Sequence, residues 1–276
     1  MIQVSDLSFH YPSNGSAPEV LRDVSLTIQD GESIAIMGAN GSAKTTFARC
    51  LNGLLTPSKG KVLVDNLSTQ DENNLAEIRR LVGMVFQNPE NQIVSTTVER
   101  EIAFGLENIG VPREQMHGIV DQMLQQFNLE SYRNHPPHLL SGGEMQRLAV
   151  ASVVAMSPKY LIFDEPTSLL DAASRKSVLS IIADLQKTRN TSPSGHSITP
   201  ILITQYPEEV LVCERLIVLH VGEIVFDNRP AKVLQKVDEL KAIGLGVPVE
   251  FEVNHYLQEL SDGRFSLNPS EFLPIP

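Results

Sequence analysis

The sequence has no tryptophan, only two cysteines, and fewer basic than acidic residues. Cys50 and Cys213 are far apart and outside any Cys/His cluster, which argues against a disulfide framework and against a structural zinc site. With 22 Lys plus Arg against 33 Asp plus Glu, the net charge is -11. That balance argues against a protein whose main task is to hold a nucleic-acid backbone or an anionic lipid surface. It leaves room for a small basic pocket that binds a nucleotide.

Long apolar runs are also missing. The longest, residues 148–156, contains Ser152 and is far shorter than the about 20 residues that a membrane-spanning helix needs. The first residues show no basic segment followed by an apolar stretch, so we expect neither a signal peptide nor a membrane span. The chain has 276 residues, of which 42% are hydrophobic and 20% charged, as in an ordinary globular protein with one main domain and an appendage.

Short apolar stretches alternate with helical patterns along most of the chain. Residues 2–9 and 20–28 alternate apolar with polar side chains, which predicts two half-exposed antiparallel strands. Further strands are predicted at residues 33–37, 62–64, 82–86, 160–163, 201–204 and 216–219, and helices at residues 44–54, 98–127 with a break at 110–112, 142–156 and 172–187. This order predicts an α/β fold with a largely parallel sheet and an attached antiparallel layer.

The last part of the chain has a different composition. After residue 222 the sequence is rich in Glu and Pro and helical in pattern, so we place a boundary near Pro230, between a domain of residues 1–229 and an extension of residues 230–276. The leucines of the extension could contact another chain or pack on their own domain; they are Leu234, Leu240, Leu257 and Leu260. Residues 188–200, rich in Ser, Thr, Pro and Gly, predict a surface loop.

Residues 38–46 have the composition and the setting of a phosphate-binding loop, between a predicted buried strand and a predicted helix. Backbone N–H groups of such a turn face phosphates, Lys44 would reach the β- and γ-phosphates, and the Thr45 hydroxyl would take one position on Mg²⁺. The candidate nucleotide-binding residues are Gly38, Ala39, Asn40, Gly41, Ser42, Ala43, Lys44, Thr45 and Thr46. Ala43 stands where the pattern G-x-x-x-x-G-K-[ST] has its second glycine, and a positive φ there would cost about 1–2 kcal/mol.

Two adjacent acids follow a predicted buried strand. Asp164 and Glu165 stand at its carboxyl end, where ligands bind in open α/β sheets. Asp164 is placed to hold Mg²⁺, and Glu165 to polarise an attacking water molecule. Taken alone, an Asp-Glu pair after a strand is equally well explained as the start of a helix.

Residues 140–147 read LSGGEMQR and open a predicted helix. The helix start exposes N–H groups that could bind a second phosphate. A simple helix start needs one capping residue, whereas this one has a serine followed by two glycines.

These three segments together resemble the nucleotide-binding subunit of ABC transporters, over residues 1 to about 228. Residues 140–144 match the family signature LSGGQ, with Glu144 in place of Gln. The resemblance implies a P-loop NTPase cassette with an antiparallel β layer, a helical signature subdomain and a small C-terminal extension. It implies an ATPase that uses Mg²⁺ and works as a dimer, each site combining the P-loop of one subunit with the signature of the other. The signature residues that would contact nucleotide are Ser141, Gly142, Gly143 and Glu144.

The resemblance also assigns roles outside these segments. Gln87 looks like the glutamine that contacts Mg²⁺ and the reacting water, and Tyr11 like the aromatic residue that stacks on adenine, although a core tyrosine at a strand end is the alternative. Residues 168–171 resemble the loop that crosses the dimer interface. Where the family has a histidine near the γ-phosphate, this chain has Gln205, whose amide donates a hydrogen bond but carries no proton at neutral pH. The implied catalytic residues are Glu165, Gln205 and Gln87, and the implied Mg²⁺ ligands are Thr45, Gln87 and Asp164.

Four short segments are similar to the ATPases of energy-coupling factor (ECF) transporters, which import vitamins and cobalt or nickel: residues 86–92, 97–99, 103–108 and 111–112. This resemblance implies a second ATPase subunit, a transmembrane coupling subunit, a substrate-binding membrane subunit, and a location on the cytoplasmic face of the cell membrane. Glu90, Glu99 and Glu101 would face basic helices of the coupling subunit, with an ordinary exposed acidic helix as the alternative. The extension would help to pair the two ATPases.

Two other functions are open at this point. Ala43 and Gln205 would belong to one composite site, so the chain could bind ATP and hydrolyse it slowly while its signature completes a more competent site on its partner. Gln205 could equally support normal hydrolysis. A soluble ABC ATPase acting on nucleic acid or ribosomes would need a coiled-coil insertion, a second cassette or a basic face, and the sequence has none of these.

Overall fold

The computed structural model describes residues 1–12, 18–187 and 198–261. Their strands are β1 (Ile2–Phe9), β2 (Leu21–Ile28), β3 (Ile34–Met37), β4 (Lys59–Val64), β5 (Leu67–Ser68), β6 (Val82–Val85), β7 (Tyr160–Asp164), β8 (Thr199–Thr204), β9 (Arg215–His220) and β10 (Glu223–Asn228). Their helices are α1 (Lys44–Leu51), α2 (Leu75–Leu81), α3 (Val98–Asn108), α4 (Arg113–Gln126), α5 (Gly142–Ala155), α6 (Ala172–Lys187), α7 (Pro230–Leu234), α8 (Val237–Ala242) and α9 (Val249–Leu260). This alternation confirms the predicted α/β fold.

The central sheet has six strands in the order β10-β9-β3-β8-β7-β6, and those from β9 to β6 run parallel. Strands β3, β7 and β8 are buried along their whole length, as expected when helices or a second sheet cover both faces. Because parallel strands end at the same edge, the loops after β3, β6, β7 and β8 come close to one another there.

A second sheet forms the predicted antiparallel layer, with the strand order β2-β1-β4-β5. The two sheets share a core, because β3 sends alternate side chains to its two faces. Ile34 and Ile36 pack with the antiparallel sheet and with Phe47 of α1, whereas Ala35 and Met37 pack with the helices on the other face. Helix α1 therefore lies between the two sheets, and its N-terminus is held at the edge where the parallel strands end.

Local sequence signals set the ends of the helices. Thr97 caps α3 by accepting a hydrogen bond from Arg100 N, and Gly110, with a φ of +76°, follows its end. Helix α4 begins directly after its N-cap residue Pro112, and a proline at this point disfavours helical backbone in the residue before it. The predicted break in the long helical pattern is thereby confirmed.

One expectation is wrong. The sequence after residue 222 reads as helical, whereas Glu223–Asn228 forms β10, paired antiparallel with β9. Val221 and Gly222 form the two-residue turn, with φ values of +48° and +81°, and positive φ at both positions is typical of hairpin turns. A Cβ atom at Gly222 would lie 2.2 Å from Val20 O, so the turn packs too closely on the second sheet for any other residue.

The extension packs on the main domain as far as the structure describes it. Val233, Leu234, Val237, Leu240 and Phe251 join the larger core cluster, whereas Leu260 is 86% exposed. Residues 262–276, and most of the predicted loop at residues 188–200, lie outside the described residues. No helix within the described ranges is long and apolar enough to cross a bilayer.

Candidate nucleotide-binding site

The loop between β3 and α1 wraps around the start of the helix. A Cβ atom at Gly38 would lie 2.2 Å from Ser42 Oγ and 2.5 Å from the backbone oxygen of Leu219, so only glycine fits there. Gly41 has a φ of +81°. Ala43, the N-cap of α1, has no polar side chain to bond the first N–H groups of the helix. Those N–H groups, together with the helix dipole, suit a bound anion.

Ala43 adopts a φ of +79°, in the left-handed region. This is the conformation for which the P-loop pattern has a glycine, so the departure at this position carries a strain of about 1–2 kcal/mol.

Lys44 is only 5% exposed. Its Nζ donates hydrogen bonds to Gly38 O at 2.8 Å and Ala39 O at 3.1 Å, and lies 3.6 Å from Glu165 Oε1. Burial lowers the pKa of Lys44, and the carboxylates of Glu165 and Asp164 oppose that shift. The ammonium group of Lys44 is therefore bonded to the loop between β3 and α1 and lies beside Asp164 and Glu165.

Asp164 ends β7 and is 4% exposed. Its Oδ1 accepts a hydrogen bond of 3.0 Å from Thr45 Oγ1. Burial raises the pKa of Asp164, the Thr45 bond lowers it, and the neighbouring Glu165 raises it again. A cation bound beside Thr45 and Asp164 would stabilise the ionised carboxylate.

Glu165 and Gln87 connect two loops at this edge. Gln87 Nε2 lies 3.1 Å from Glu165 Oε2 and 3.3 Å from Ser168 Oγ, as a donor to both. Glu165 has a φ of +48°, and its N–H donates to Ile203 O at 3.0 Å, which anchors the strained residue to β8. The side chain of Glu165 is thereby aimed at Lys44 and at Gln87.

Lys44, Gln87 and Glu165 line a cavity of about 320 Å³. Its walls are formed by Val20, Asn40, Gly41, Ala43, Lys44, Thr45, Thr46, Gln87 and Glu165. Tyr11 joins it through Thr46: the two hydroxyl oxygens are 3.0 Å apart, and the Tyr11 ring packs edge-on against Phe9. The tyrosine side chain is 42% exposed, so it is not a core residue.

Comparison with known proteins shows which family this chain belongs to. The family model described as "ABC transporter" matches residues 21–168, which is more than half of the chain. The chain belongs to the ABC transporter family.

Similar proteins within the ABC family show which branch of the family this chain resembles. A protein of Syntrophus aciditrophicus named cobalt import ATP-binding protein CbiO is 46% identical over 260 residues, covering 94% of this chain and 89% of the relative. A protein of Caldanaerobacter subterraneus named energy-coupling factor transporter ATP-binding protein EcfA1 is 42% identical, covering 94% of this chain and 91% of the relative. The solved structure of CbiO1 from Clostridium perfringens, described as part of the ABC transporter complex CbiONQ, matches with a TM-score of 0.76 at 30% identity, covering 91% of this chain and 97% of that one. The chain belongs with the ATP-binding proteins of ECF transporters.

The ABC signature lies apart from this cavity. Among the described residues, none from 141 to 144 lines it. Ser141 caps α5 in a capping box: Ser141 N and Oγ donate to Glu144 Oε2 at 2.8 and 2.7 Å, and Glu144 N donates back to Ser141 Oγ. Tyr132 OH donates to Glu144 Oε1 at 2.5 Å. The glutamate that replaces the usual glutamine therefore works as a charged cap at the start of the signature helix.

Gly142 and Gly143 differ in what surrounds them. A Cβ atom at Gly143 would lie 2.4 Å from Ser174 Oγ, so this glycine lets α5 approach the start of α6. Gly142 is exposed, and its nearest neighbour would be Leu170 at 3.7 Å.

Gln205 follows β8 at the same sheet edge and is half-buried. It does not line the cavity among the described residues. Its position directly after the strand is the one that the sequence pattern predicts.

Some residues of this region carry no sequence signal. Val20 lines the cavity, but an apolar residue before a strand looks like core. Ser168 belongs to the motif at residues 168–171, but that motif gave no sign that its hydroxyl accepts a hydrogen bond from Gln87. Thr167, Thr204 and Glu209 form a buried hydrogen-bonded cluster directly behind the site.

The acids expected to face a partner separate into three cases. Glu101 is 3% exposed, and its Oε2 accepts hydrogen bonds from Val94 N and Ser95 N, so the expectation for this residue is wrong. A buried carboxylate is stable here because two N–H groups satisfy it. Glu99 forms an ion pair of 3.2 Å with Arg133, and Glu90 is exposed.

Proposed function

We propose that this chain is the ATP-hydrolysing subunit of an ECF-type ABC importer and powers uptake of a vitamin or a transition-metal ion through a membrane-embedded partner. The observation that carries the proposal is the cavity at the sheet edge, where Lys44, Thr45, Gln87 and Glu165 meet in a chain of this family.

The residues of the cavity fit ATP and Mg²⁺ as ligands. Ser42 Oγ is buried and has no hydrogen-bond partner among the described residues, which is unusual for a buried hydroxyl and suits a phosphate oxygen. Gly41 lines the cavity without a side chain, and Gly38 lets the loop pack closely against Ser42 and the backbone oxygen of Leu219. Thr45 and Asp164 pair one hydroxyl with one buried carboxylate, a set of oxygen donors that Mg²⁺ prefers.

The side chains divide the work of hydrolysis among them. Thr45, Asp164 and Gln87 would hold Mg²⁺, which when bound neutralises phosphate charge and orients the terminal phosphate. Lys44 and the N–H groups at the start of α1 offset the remaining negative charge. Glu165 accepts a hydrogen bond from the attacking water and polarises it.

Three residues serve binding rather than proton transfer. Tyr11 stacks on the base, Thr46 holds the tyrosine hydroxyl, and Gln205 donates its amide to the terminal phosphate. Hydrolysis then depends on positioning and on neutralised charge.

The partners follow from the dimeric arrangement. We infer a second ECF ATPase whose site the signature residues 141–144 complete, with this chain on the cytoplasmic face of the membrane beside a coupling subunit and a substrate-binding subunit. Exposed apolar residues recur every three or four positions along α9, which supports an ATPase–ATPase contact; they are Val249, Val253, Tyr256 and Leu260. Glu90 is the acid left to meet a basic coupling helix.

A second candidate has its own support. The strained Ala43 and the amide of Gln205 favour a site that binds ATP and hydrolyses it slowly, the faster site being the one that this chain's signature completes. In a complex with a distinct partner ATPase, Glu165→Gln would then leave most turnover intact, whereas the partner's equivalent change would abolish it.

Purified complexes test the main proposal by separating binding from hydrolysis. Lys44→Ala is expected to abolish ATP binding at this site because the phosphate charge loses its cation. Glu165→Gln is expected to keep ATP bound while single-turnover hydrolysis at this site falls by about 100-fold or more. Binding is read by equilibrium titration, hydrolysis by phosphate release, and transport by uptake into vesicles that hold the whole complex.

Matched controls lie far from the cavity. Lys61→Ala changes an exposed lysine of the antiparallel sheet, and Glu107→Gln changes an exposed glutamate near the end of α3. Both should bind and hydrolyse ATP as the wild type does. If the complex with Glu165→Gln hydrolyses ATP at the wild-type rate, and the partner's equivalent change abolishes turnover, the second candidate is favoured.

A further inference from the structure

A buried carboxylate lies behind the cavity and outside the proposed chemistry. Glu209 is 1% exposed, and both of its oxygens are occupied: Thr167 Oγ1 donates to Oε1 at 2.6 Å and Thr204 Oγ1 donates to Oε2 at 2.5 Å. Thr167 and Thr204 are themselves at most 1% exposed. Burying a carboxylate costs free energy, so an apolar side chain of the same size at position 209 would stabilise the fold at least as well. The presence of a glutamate there therefore calls for a reason other than packing.

The Thr204 hydroxyl connects this carboxylate to the residue after Gln205. Thr204 Oγ1 accepts a hydrogen bond of 3.0 Å from Tyr206 N while it donates to Glu209. Glu209 N in turn donates to Tyr206 O at 3.2 Å. The backbone directly after Gln205 is therefore held at Tyr206 N by the Thr204 hydroxyl, which bonds the Glu209 carboxylate, and at Tyr206 O by the main-chain N–H of Glu209.

Arg175 of α6 makes a second connection to the same turn. Its guanidinium lies 4.2 Å from the centre of the Tyr206 ring, and its Nε is 3.7 Å from Glu209 Oε1. That Nε is buried and has no hydrogen-bond partner among the described residues, so the charge of Glu209 and the face of the ring are what stabilise it.

The helix that carries Arg175 also contacts the signature. Asp171 holds the start of α6 through Ser174, whose Oγ donates to Asp171 Oδ2 at 2.8 Å. The same Ser174 Oγ is the atom that a Cβ at Gly143 would meet at 2.4 Å. The signature of this chain, the loop at residues 168–171 and Arg175 are thus packed as one body.

We propose that Glu209 is a positioning residue for Gln205, which ties the turn after β8 to the loop after Glu165 and to α6. The contact of Gln205 with the terminal phosphate in this chain's own site then moves together with residues 141–144, the signature that completes the site of the partner. This rests on the proposed ATPase function. Glu209 touches no nucleotide and acts through the Thr204 hydroxyl and through Arg175.

Two kinds of variant remove the connection while keeping side-chain size. Glu209→Gln keeps the volume and removes the charge that faces Arg175. Thr204→Val removes the hydroxyl, and Thr204→Ser restores it. Glu208→Gln is the matched control, because Glu208 is the exposed neighbour of Glu209. Thermal melting of each complex verifies that it is folded.

Steady-state ATP hydrolysis, which gives kcat and KM, and ATP binding are then measured in the complete complex, each variant with and without Gln205→Ala. We expect kcat to fall about tenfold in Glu209→Gln and Thr204→Val, since hydrogen bonds to a charged group are lost. KM should stay within about twofold of the wild-type value, because binding depends on the P-loop. Thr204→Ser should recover the rate.

The combination with Gln205→Ala decides whether Glu209 acts through Gln205. If it does, Glu209→Gln lowers the rate by less than about twofold in that background. An unchanged kcat, a parallel rise in KM, or the same factor of loss in both backgrounds would overturn the proposal. A wild-type complex that fails to hydrolyse ATP would instead remove the proposed function, so the two failures are distinct.

Discussion

At the scale of single residues, the site contains backbone strain that the rest of the fold holds in place. Ala43 and Glu165 have φ values of +79° and +48°. Ala43 O accepts the first hydrogen bond of α1 from Phe47 N, and Glu165 N donates to Ile203 O. Strained residues concentrate at functional sites, where surrounding contacts over-determine them.

Replacing Ala43 with glycine tests how much of that strain remains in the folded state. Glycine removes a cost of about 1–2 kcal/mol for the left-handed conformation and adds back about 0.4–1 kcal/mol of unfolded-state entropy. We expect Ala43→Gly to raise the free energy of unfolding by up to about 1.6 kcal/mol, measured by urea denaturation. Ala39→Gly, in the same loop but without a positive φ, should lower it.

At the scale of elements, the signature helix α5 begins with an unusually complete cap. Tyr132 and Ser141 hold both carboxylate oxygens of Glu144. The hydrogen bond from Tyr132 and those from Ser141 lower the pKa of Glu144. Since the folded-state pKa is below the unfolded one, this stabilisation is present above about pH 4.3 and is lost as pH falls through the folded value.

Glu144→Gln tests the charged cap. At neutral pH we expect it to lower the free energy of unfolding by about 1 kcal/mol, because bonds to a carboxylate become bonds to a neutral amide. The difference from the wild type should shrink as the pH falls below about 4, where the glutamate takes up a proton and the glutamine does not. Urea denaturation at several pH values measures it, and a difference that stays constant with pH would contradict the charged cap.

At the scale of the whole molecule, one polar cluster joins the two sheets. Lys159 Nζ lies 2.8 Å from Asp30 and 2.7 Å from Asp65, and the Tyr160 hydroxyl lies 2.6 and 2.9 Å from the same two acids. Asp30 follows β2 and Asp65 follows β4, whereas Tyr160 begins β7. Burial alone would raise the pKa of Asp30 and Asp65, but hydrogen bonds from Lys159, Tyr160 and other donors lower it.

Tyr160→Phe tests the joint between the sheets. It should lower the free energy of unfolding by about 1–2 kcal/mol at neutral pH, because two acids lose a donor. The wild type should lose this advantage on acidification below about pH 3.9, since both carboxylates have lowered pKa values. Tyr256→Phe, at a ring that is half-exposed, should change stability by less than about 0.5 kcal/mol. Chemical denaturation measures both.

Features of the fold that depend on neighbouring residues in the chain can be predicted from the amino-acid sequence. The alternation of strands and helices, the glycine-rich loop before α1, the acids at the end of β7 and the serine cap of α5 are all local patterns. The edge of a parallel sheet then brings Lys44, Gln87 and Glu165 together without further information, because strand ends meet there. The residues of the candidate site are therefore predictable from local sequence patterns and the topology of a parallel sheet.

Features that depend on contacts between distant parts of the chain are set by the three-dimensional packing. Glu101 is buried because two backbone N–H groups face it, and Leu234 and Leu240 join the core because α7 and α8 fold back on the domain. Residues 223–228 form a strand because β9 pairs with them. Glu209 has a role only because Thr167, Thr204 and Arg175 converge on it from three segments. Burial and hydrogen-bond partners are set by packing, and no local pattern encodes them.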